Sequence, residues 1–301
     1  MSINNVSIIG MGALGIMYGK CIADSLGNEA VSFVVDEARF DRYQGRKVTC
    51  NGEVCDFRIC KASDMKPVDL VIVAVKSTGL DSALETMRNC VGENTIIISV
   101  MNGITSEEMI GSRYGMEKII YTVAQGMDAM RFGDELRFTR SGELHIGKDN
   151  ATSQLETLTE FFDRANMAYV VEEDIIYRMW SKFMLNVGVN QTCMVYDTTY
   201  SGVLEDGEPN LIFVSAMREV VSIANAEGVS LGEKDINNYI DIIKTLDPKG
   251  TPSMGQDRIN HNKSEVEAFA GTVIRIADKH GIKVPVNRYL YKRVAEIESE
   301  Y

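Results

Sequence analysis

The sequence predicts an α/β protein: an N-terminal Rossmann-type domain built on a parallel sheet, followed by an all-helical C-terminal domain. Three observations lead there. Short β-branched runs alternate with amphipathic stretches through the first half, a glycine-rich turn joins the first of each, and beyond Glu173 the strong patterns are helical only. Strand and helix in repetition argue for a parallel sheet covered on both faces. At ~150 residues per domain, a chain of 301 residues makes two, divided here into 1–168 and 169–301.

The expected strands of the first half are Val6–Ile9 and residues 30–35, 70–75, 95–100 and 118–123, with helices at Ala13–Leu26, 80–91 and 106–112. The apolar runs at 71–75 and 96–98 are continuous rather than alternating, as strands buried on both faces require. Residues 134–139 and 142–146, with a turn between them, predict an antiparallel hairpin; a helix at 153–165 and a strand at 168–171 close this half. In the second half, helices are expected at 175–195, 212–227, 234–246 and 263–280, and Asp247-Pro-Lys-Gly-Thr-Pro252 breaks the run.

Composition narrows the function. Hydrophobic residues at 45% and charged residues at 25% are ordinary for a globular protein and exclude disorder, collagen and a disulfide scaffold. Lys and Arg number 31 against 43 Asp and Glu, a net charge of −12 that would repel nucleic acid and anionic lipid. No nucleic-acid or membrane partner is expected, and any anionic ligand must be held by local groups. The six cysteines include no C-x-x-C pair and read as reduced thiols in a cytoplasm. No stretch approaches the ~20 apolar residues of a membrane span.

Gly10-Met11-Gly12-Ala13-Leu14-Gly15 lies between the first strand and the first helix, which is the context a dinucleotide-binding turn needs. Gly10 permits the tight turn, Gly12 lets a pyrophosphate approach the backbone, and Gly15 lets the helix pack on the strand. The pyrophosphate would meet the free N–H groups at the positive end of the helix dipole. Asp36 ends the second strand, where a carboxylate accepts from the ribose hydroxyls of NAD and repels a 2′-phosphate. The same residue suits the N-cap of a helix at Glu37–Tyr43. Arg39 and Arg42, just beyond, could reach a 2′-phosphate.

In the second domain Lys182, Asn186 and Asn190 are spaced by four and share one side of a helix. Their neighbours are apolar nearly all round, so the helix should be buried and its polar row needs partners, such as a polar substrate; a solvated stripe on a half-buried helix is the alternative. Ser253 lies in a Gly/Pro loop where a hydroxyl and backbone amides could hold a carboxylate; Glu265, twelve residues later, is on its own one of many helix carboxylates, for which a surface position is expected. The three histidines form no metal-ligand spacing, and a G-x-S-x-G elbow is absent, so no metal is expected. Lys182 is the best candidate acid, because burial lowers the pKa of a lysine.

With these residues in place, the chain resembles the ketopantoate reductase (2-dehydropantoate 2-reductase) family. The resemblance is carried by Ile8-Ile-Gly-Met-Gly-Ala-Leu-Gly15, Val73-Ala-Val-Lys-Ser77, Met101-Asn-Gly-Ile104, Trp180-Ser-Lys-Phe-Met-Leu-Asn186 with Asn190, and Ser253-Met-Gly-Gln-Asp257 followed by Lys263-Ser-Glu265. It implies NAD(P)H-dependent reduction of 2-dehydropantoate to pantoate, a step of pantothenate biosynthesis, in a cleft between the two domains. Lys182 would donate the proton to the carbonyl oxygen and Glu265 would bind the substrate's hydroxyl end. Asn186 and Asn190 would hydrogen-bond the substrate, and Ser253 its carboxylate. Asn102 would sit between nicotinamide and substrate, and Lys76 near the cofactor and the carbonyl. The resemblance implies NADP(H). Many members, however, carry Arg where this chain has Asp36, and that departure brings in NAD(H). Tyr200, Glu267 and Ala270 also depart from residues common in the family, while Gly271 is retained.

Two rival readings remain at this point. One is a D-2-hydroxy acid dehydrogenase of the same family acting on another, bulkier 2-oxo acid. The other is a non-catalytic NAD(P)H sensor, against which a proton donor such as Lys182 argues. A homodimer is the default assembly for a soluble enzyme.

Overall fold

The structure is a computed structural model and describes residues 2–148 and 152–301. These residues form two compact units, Met1–Ile175 and Ile176–Tyr301. In the first unit the elements run β1 (Val6–Ile9), α1 (Ala13–Leu26), β2 (Val31–Val35), α2 (Glu37–Tyr43), β3 (Val48–Cys50), β4 (Glu53–Cys55), β5 (Ile59–Lys61), β6 (Leu70–Val73), α3 (Leu80–Thr86), β7 (Ile96–Ser99) and α4 (Ser106–Tyr114). They continue through β8 (Ile119–Met127), β9 (Met130–Phe132), β10 (Glu135–Arg137), β11 (Ser141–Gly147), α5 (Thr152–Arg164) and β12 (Tyr169–Val171).

Eight strands form one sheet in the order β12-β11-β8-β7-β6-β1-β2-β5. All its pairings are parallel except β8 with β11. Every residue of β1, β2, β6 and β7 is buried, which accounts for the continuous apolar runs. Burial of each such Val or Ile stabilises the fold by about 1.5–3 kcal/mol. Because β12 pairs in parallel with β11, the first unit extends seven residues past the division expected at residue 168.

The hairpin expected from residues 134–146 does not form. β10 joins a second, four-stranded sheet, β4-β3-β10-β9, pairing antiparallel with β9 and parallel with β3. β11 instead pairs with β8, with Ser141 opposite Met127. Asp128 closes the excursion between them, its carboxylate accepting from the backbone N–H groups of Thr139 and Arg140 at 2.8 Å each. Gly142, at φ 63°, lies so close to β8 that a Cβ there would be 2.2 Å from the Gln125 carbonyl. Alternation and a turn signal marked both strands correctly but carried no information about the partner of each.

The second unit is helical: α6 (Ile175–Tyr196), α7 (Tyr200–Leu204), α8 (Glu208–Ala226), α9 (Glu233–Lys244), α10 (Ser253–Ile259), a π-helical turn at Glu267–Gly271, α11 (Thr272–His280) and α12 (Pro285–Glu298). The helix expected over 263–280 is therefore two pieces. Gly271 N–H bonds to the Val266 carbonyl five residues back at 3.0 Å, and a Cβ on Gly271 would strike the Glu267 carboxylate at 2.6 Å. Ser253, expected in a loop, opens α10 behind the extended Pro252. Among the described residues no helix is long and apolar enough to cross a membrane, no group of three or more His, Cys, Asp or Glu could hold a metal ion, and all six cysteines are free thiols.

Candidate active site

In the first unit the sequence-picked residues gather along one edge of the large sheet. Gly10 follows β1, Asp36 follows β2, Lys76 lies three residues past β6, and Asn102 three past β7. The strand order reverses at β1, between β2 and β6, and in open α/β sheets a ligand sits beyond the carboxyl ends of the strands at such a point.

The three glycines of the turn have different reasons to be glycine. Gly10 has φ 114°, and a Cβ there would lie 2.4 Å from the Ala74 carbonyl oxygen. A Cβ on Gly15 would lie 2.0 Å from the Gly10 carbonyl oxygen, so both are demanded by the fold itself. Gly12 is not: its φ is −77°, and a Cβ would meet only the Ala74 oxygen at 3.6 Å, an ordinary contact. Gly12 is the N-cap of α1 and gives its helix no side-chain cap. Gly12 therefore puts no side chain of its own over the first-turn N–H groups, which fits a dinucleotide pyrophosphate. Met11, Ala13 and Leu14 complete this turn.

Asp36 is the N-cap of α2. Its Oδ1 accepts from the Arg39 backbone N–H at 2.8 Å, and its Oδ2 faces the Arg39 guanidinium at 3.4 Å. Sequence reading missed Arg131. Carried on β9, it donates through Nη1 to the Met11 carbonyl and through Nε to the Gly133 carbonyl at 2.8 Å, tying the small sheet to the glycine turn. No local pattern announces a contact across 120 residues.

In the second unit the spacing by four does place Lys182, Asn186 and Asn190 along one side of α6, with Phe183, Met184 and Val187 buried around them. The row is not a solvated stripe: Asn186 is 9% exposed and Asn190 4%. Asn190 Nδ2 donates to Asn186 Oδ1 at 3.4 Å, and its own Oδ1 accepts from Ser253 Oγ at 2.9 Å and from Met254 N–H at 3.3 Å. Asn190 thus spends its amide on holding the start of α10, and Asn186, Asn190 and Ser253 form one chain of hydrogen bonds.

Glu265 is buried (6% exposed) and stands close enough to Lys182 to act on its charge. Burial lowers the Lys182 ammonium from its ordinary range to about 8; the Glu265 carboxylate opposes this shift and the Arg178 guanidinium, one turn earlier on α6, adds to it. Local packing fixes this pair. Phe269 of the π-helical turn packs on Phe183 of α6 with ring centroids 6.4 Å apart. Just before Glu265, Ser264 is held through N–H and Oγ by the Glu298 carboxylate at 2.8 and 2.6 Å. Of the departures from the family, Glu267 points outward to Arg275 and Tyr291, Ala270 is fully buried, and Tyr200 packs against Gly250.

A family model described as "Ketopantoate reductase PanE/ApbA" matches residues 6–151, and one described as "Ketopantoate reductase PanE/ApbA C terminal" matches residues 174–298. A 2-dehydropantoate 2-reductase of Streptococcus pyogenes serotype M3 is 24% identical over 298 residues, covering 96% of each chain. Among solved structures, D-mandelate dehydrogenase with NADH and anilino(oxo)acetate superposes with a TM-score of 0.87 at 21% identity, covering 98% of this chain and 99% of that one. A dimeric ketopantoate reductase from Staphylococcus aureus gives 0.84 at 20% identity, with the same coverage. At these identities the superpositions speak for the fold.

Proposed function

Since the chain belongs to the ketopantoate reductase family, we propose that this NAD(P)-dependent oxidoreductase reduces 2-dehydropantoate to pantoate at the C2 carbonyl, with Lys182 as the proton donor. The observation that supports this most is Lys182 itself, a half-buried lysine whose pKa is lowered to about 8, beside buried Glu265 and in line with Asn186 and Asn190.

The glycine turn with Met11, Ala13 and Leu14 would hold the pyrophosphate, Asp36 the ribose, and Lys76 and Asn102 the nicotinamide end. When bound, the reduced nicotinamide supplies a hydride to the carbonyl carbon. The remaining work falls to the protein. As the C=O π bond breaks, charge develops on oxygen; the Lys182 ammonium stabilises it and gives it a proton, leaving a neutral amine. A pKa near 8 suits this task at neutral pH, because the ammonium predominates yet releases its proton readily. Glu265 keeps the ammonium charged and would accept from the substrate's hydroxyl. Asn186 and Ser253 supply hydrogen bonds that orient the substrate, and Asn190 fixes Ser253.

Initial rates of 2-dehydropantoate reduction with NADPH and with NADH at matched concentrations test the reading. Turnover with either cofactor supports it, and turnover with NADH alone assigns Asp36 to the ribose hydroxyls. No turnover with either overturns the substrate. A second reading, a D-2-hydroxy acid dehydrogenase for bulkier 2-oxo acids, is favoured by Asp36 together with Tyr200 and Ala270; a substrate panel separates the two. Cofactor binding without any turnover across that panel would instead mark a sensor. A cytoplasmic homodimer completes the proposal, with sedimentation as its check.

A further inference from the structure

Glu107 is a buried carboxylate that the proposed reaction leaves unused. It is the second residue of α4, 2% exposed, and its Oε2 accepts from Ser106 Oγ at 2.8 Å. The carboxylate also accepts from its own backbone N–H and from that of Thr122 on β8. Ser106 Oγ lies 2.9 Å from Ser99 Oγ at the end of β7, and Ser99 Oγ accepts from the Met101 N–H at 3.4 Å. Both serines are buried.

The direction of these bonds follows from chemistry. An ionised carboxylate only accepts, so Ser106 must give its one proton to Glu107. Ser106 then accepts from Ser99, and Ser99 accepts from Met101. Every donor in the chain points toward Glu107, and its far end is the residue before Asn102. A neutral carboxyl could donate instead, and the serine hydroxyls would be free to reverse. Glutamine offers one acceptor oxygen in place of two, and its amide nitrogen only donates, so it could not accept all three bonds.

We propose that ionised Glu107 is a positioning residue of the cofactor site, setting the Met101–Thr105 loop, and with it Asn102, through Ser106 and Ser99. The proposal rests on the reading of Asn102 as a nicotinamide contact. Burial pushes the Glu107 carboxyl up to about 7, opposed by its hydrogen bonds from Ser106 and the two backbone N–H groups. Other ionisable groups on the packed elements stand outside the chain of bonds. Glu108 is exposed on α4, and Tyr121 on β8 alternates to the opposite face from Thr122. Glu117 and Lys118 lie past the far end of α4. His145 on β11 is held between Glu172 at 2.5 Å and Glu143 at 3.0 Å.

The test reads the emission of bound NADH or NADPH against pH, together with kcat, in the full-length wild type, Glu107→Gln, Ser99→Ala and a His145→Gln control. The wild type and His145→Gln should show a change in bound-cofactor emission centred near pH 7. Glu107→Gln and Ser99→Ala should show none. In both, kcat should fall about tenfold while cofactor affinity moves less than about twofold, since the pyrophosphate turn is untouched. A titration that persists in Glu107→Gln, or that vanishes in His145→Gln, overturns the proposal. So does a loss of affinity in step with kcat. Emission that titrates as described without turnover of any 2-oxo acid would sink the reductase reading and leave the positioning role standing.

Discussion

The ionisation of Lys182 is the most exacting quantity this structure offers. Reduction needs the ammonium form, so kcat/KM should fall as pH rises through the pKa of the free enzyme. With that value at about 8, about nine-tenths of the lysine carries its proton at pH 7 and about one-tenth at pH 9, a fall of about tenfold. Glu265 and Arg178 act on it with opposite signs, and this makes the prediction hard to satisfy by accident. Glu265→Gln removes the group that holds the proton on, so the alkaline fall should move down by about one to two pH units. At pH 8 that variant should sit about tenfold to a hundredfold below its own acid plateau, where the wild type sits about twofold below. Arg178→Gln removes the like charge, so its fall should move up by about half to one pH unit, short of an ordinary lysine because burial is the larger cause. The assay is the loss of reduced-nicotinamide absorbance at limiting 2-oxo acid from about pH 6 to about pH 10. The position of the fall is read rather than its height, so a change in substrate affinity does not confuse the result. If both variants move the same way, or Glu265→Gln does not move, Lys182 is not the titrating donor.

Three further outcomes follow from the geometry. Gly12→Ala should fold with a melting temperature near the wild type and lose cofactor affinity by tenfold or more, whereas Gly10→Ala, at φ 114°, should be unstable even without cofactor; equal melting losses would refute the distinction. Lys182→Met should abolish turnover and cost about 3 kcal/mol by leaving Glu265 buried without its cation, and adding Glu265→Gln should restore most of that stability in denaturant unfolding; a double variant no more stable than the single one would count against the pair. Asp36→Asn should keep the α2 cap yet raise the NADPH-to-NADH ratio of kcat/KM, while Asp36→Ala should cost about 1 kcal/mol as well; an unchanged ratio would confine Asp36 to capping.

Much of this was legible from local sequence. β1 and α1 were placed to the residue because an apolar run, three glycines and an amphipathic stretch follow one another without interruption. The row at 182, 186 and 190 was legible because a period of four is a helical property. What escaped depends on partners distant in the chain. Nothing near 134–146 says that β10 will pair with β3 while β11 pairs with β8. The π-helical turn escaped because one extra residue in a helix leaves the apolar pattern almost unchanged, although it sets where Glu265 stands. Glu107 looked like any acidic residue in a first helical turn; only burial distinguishes it.

The tie from Arg131 to the Met11 carbonyl has a bearing on how the chain is made. The glycine turn leaves the ribosome early, yet its brace is encoded 120 residues later. At about 5–20 residues per second, the turn waits about 6–24 s for β9 to be synthesised. During that interval α1 can stack on β1 and β2, but the turn lacks its support. Slow codons between β2 and β9 would lengthen the exposure, and a chaperone that binds nascent apolar strands would find β1 and β2 before the braced turn exists.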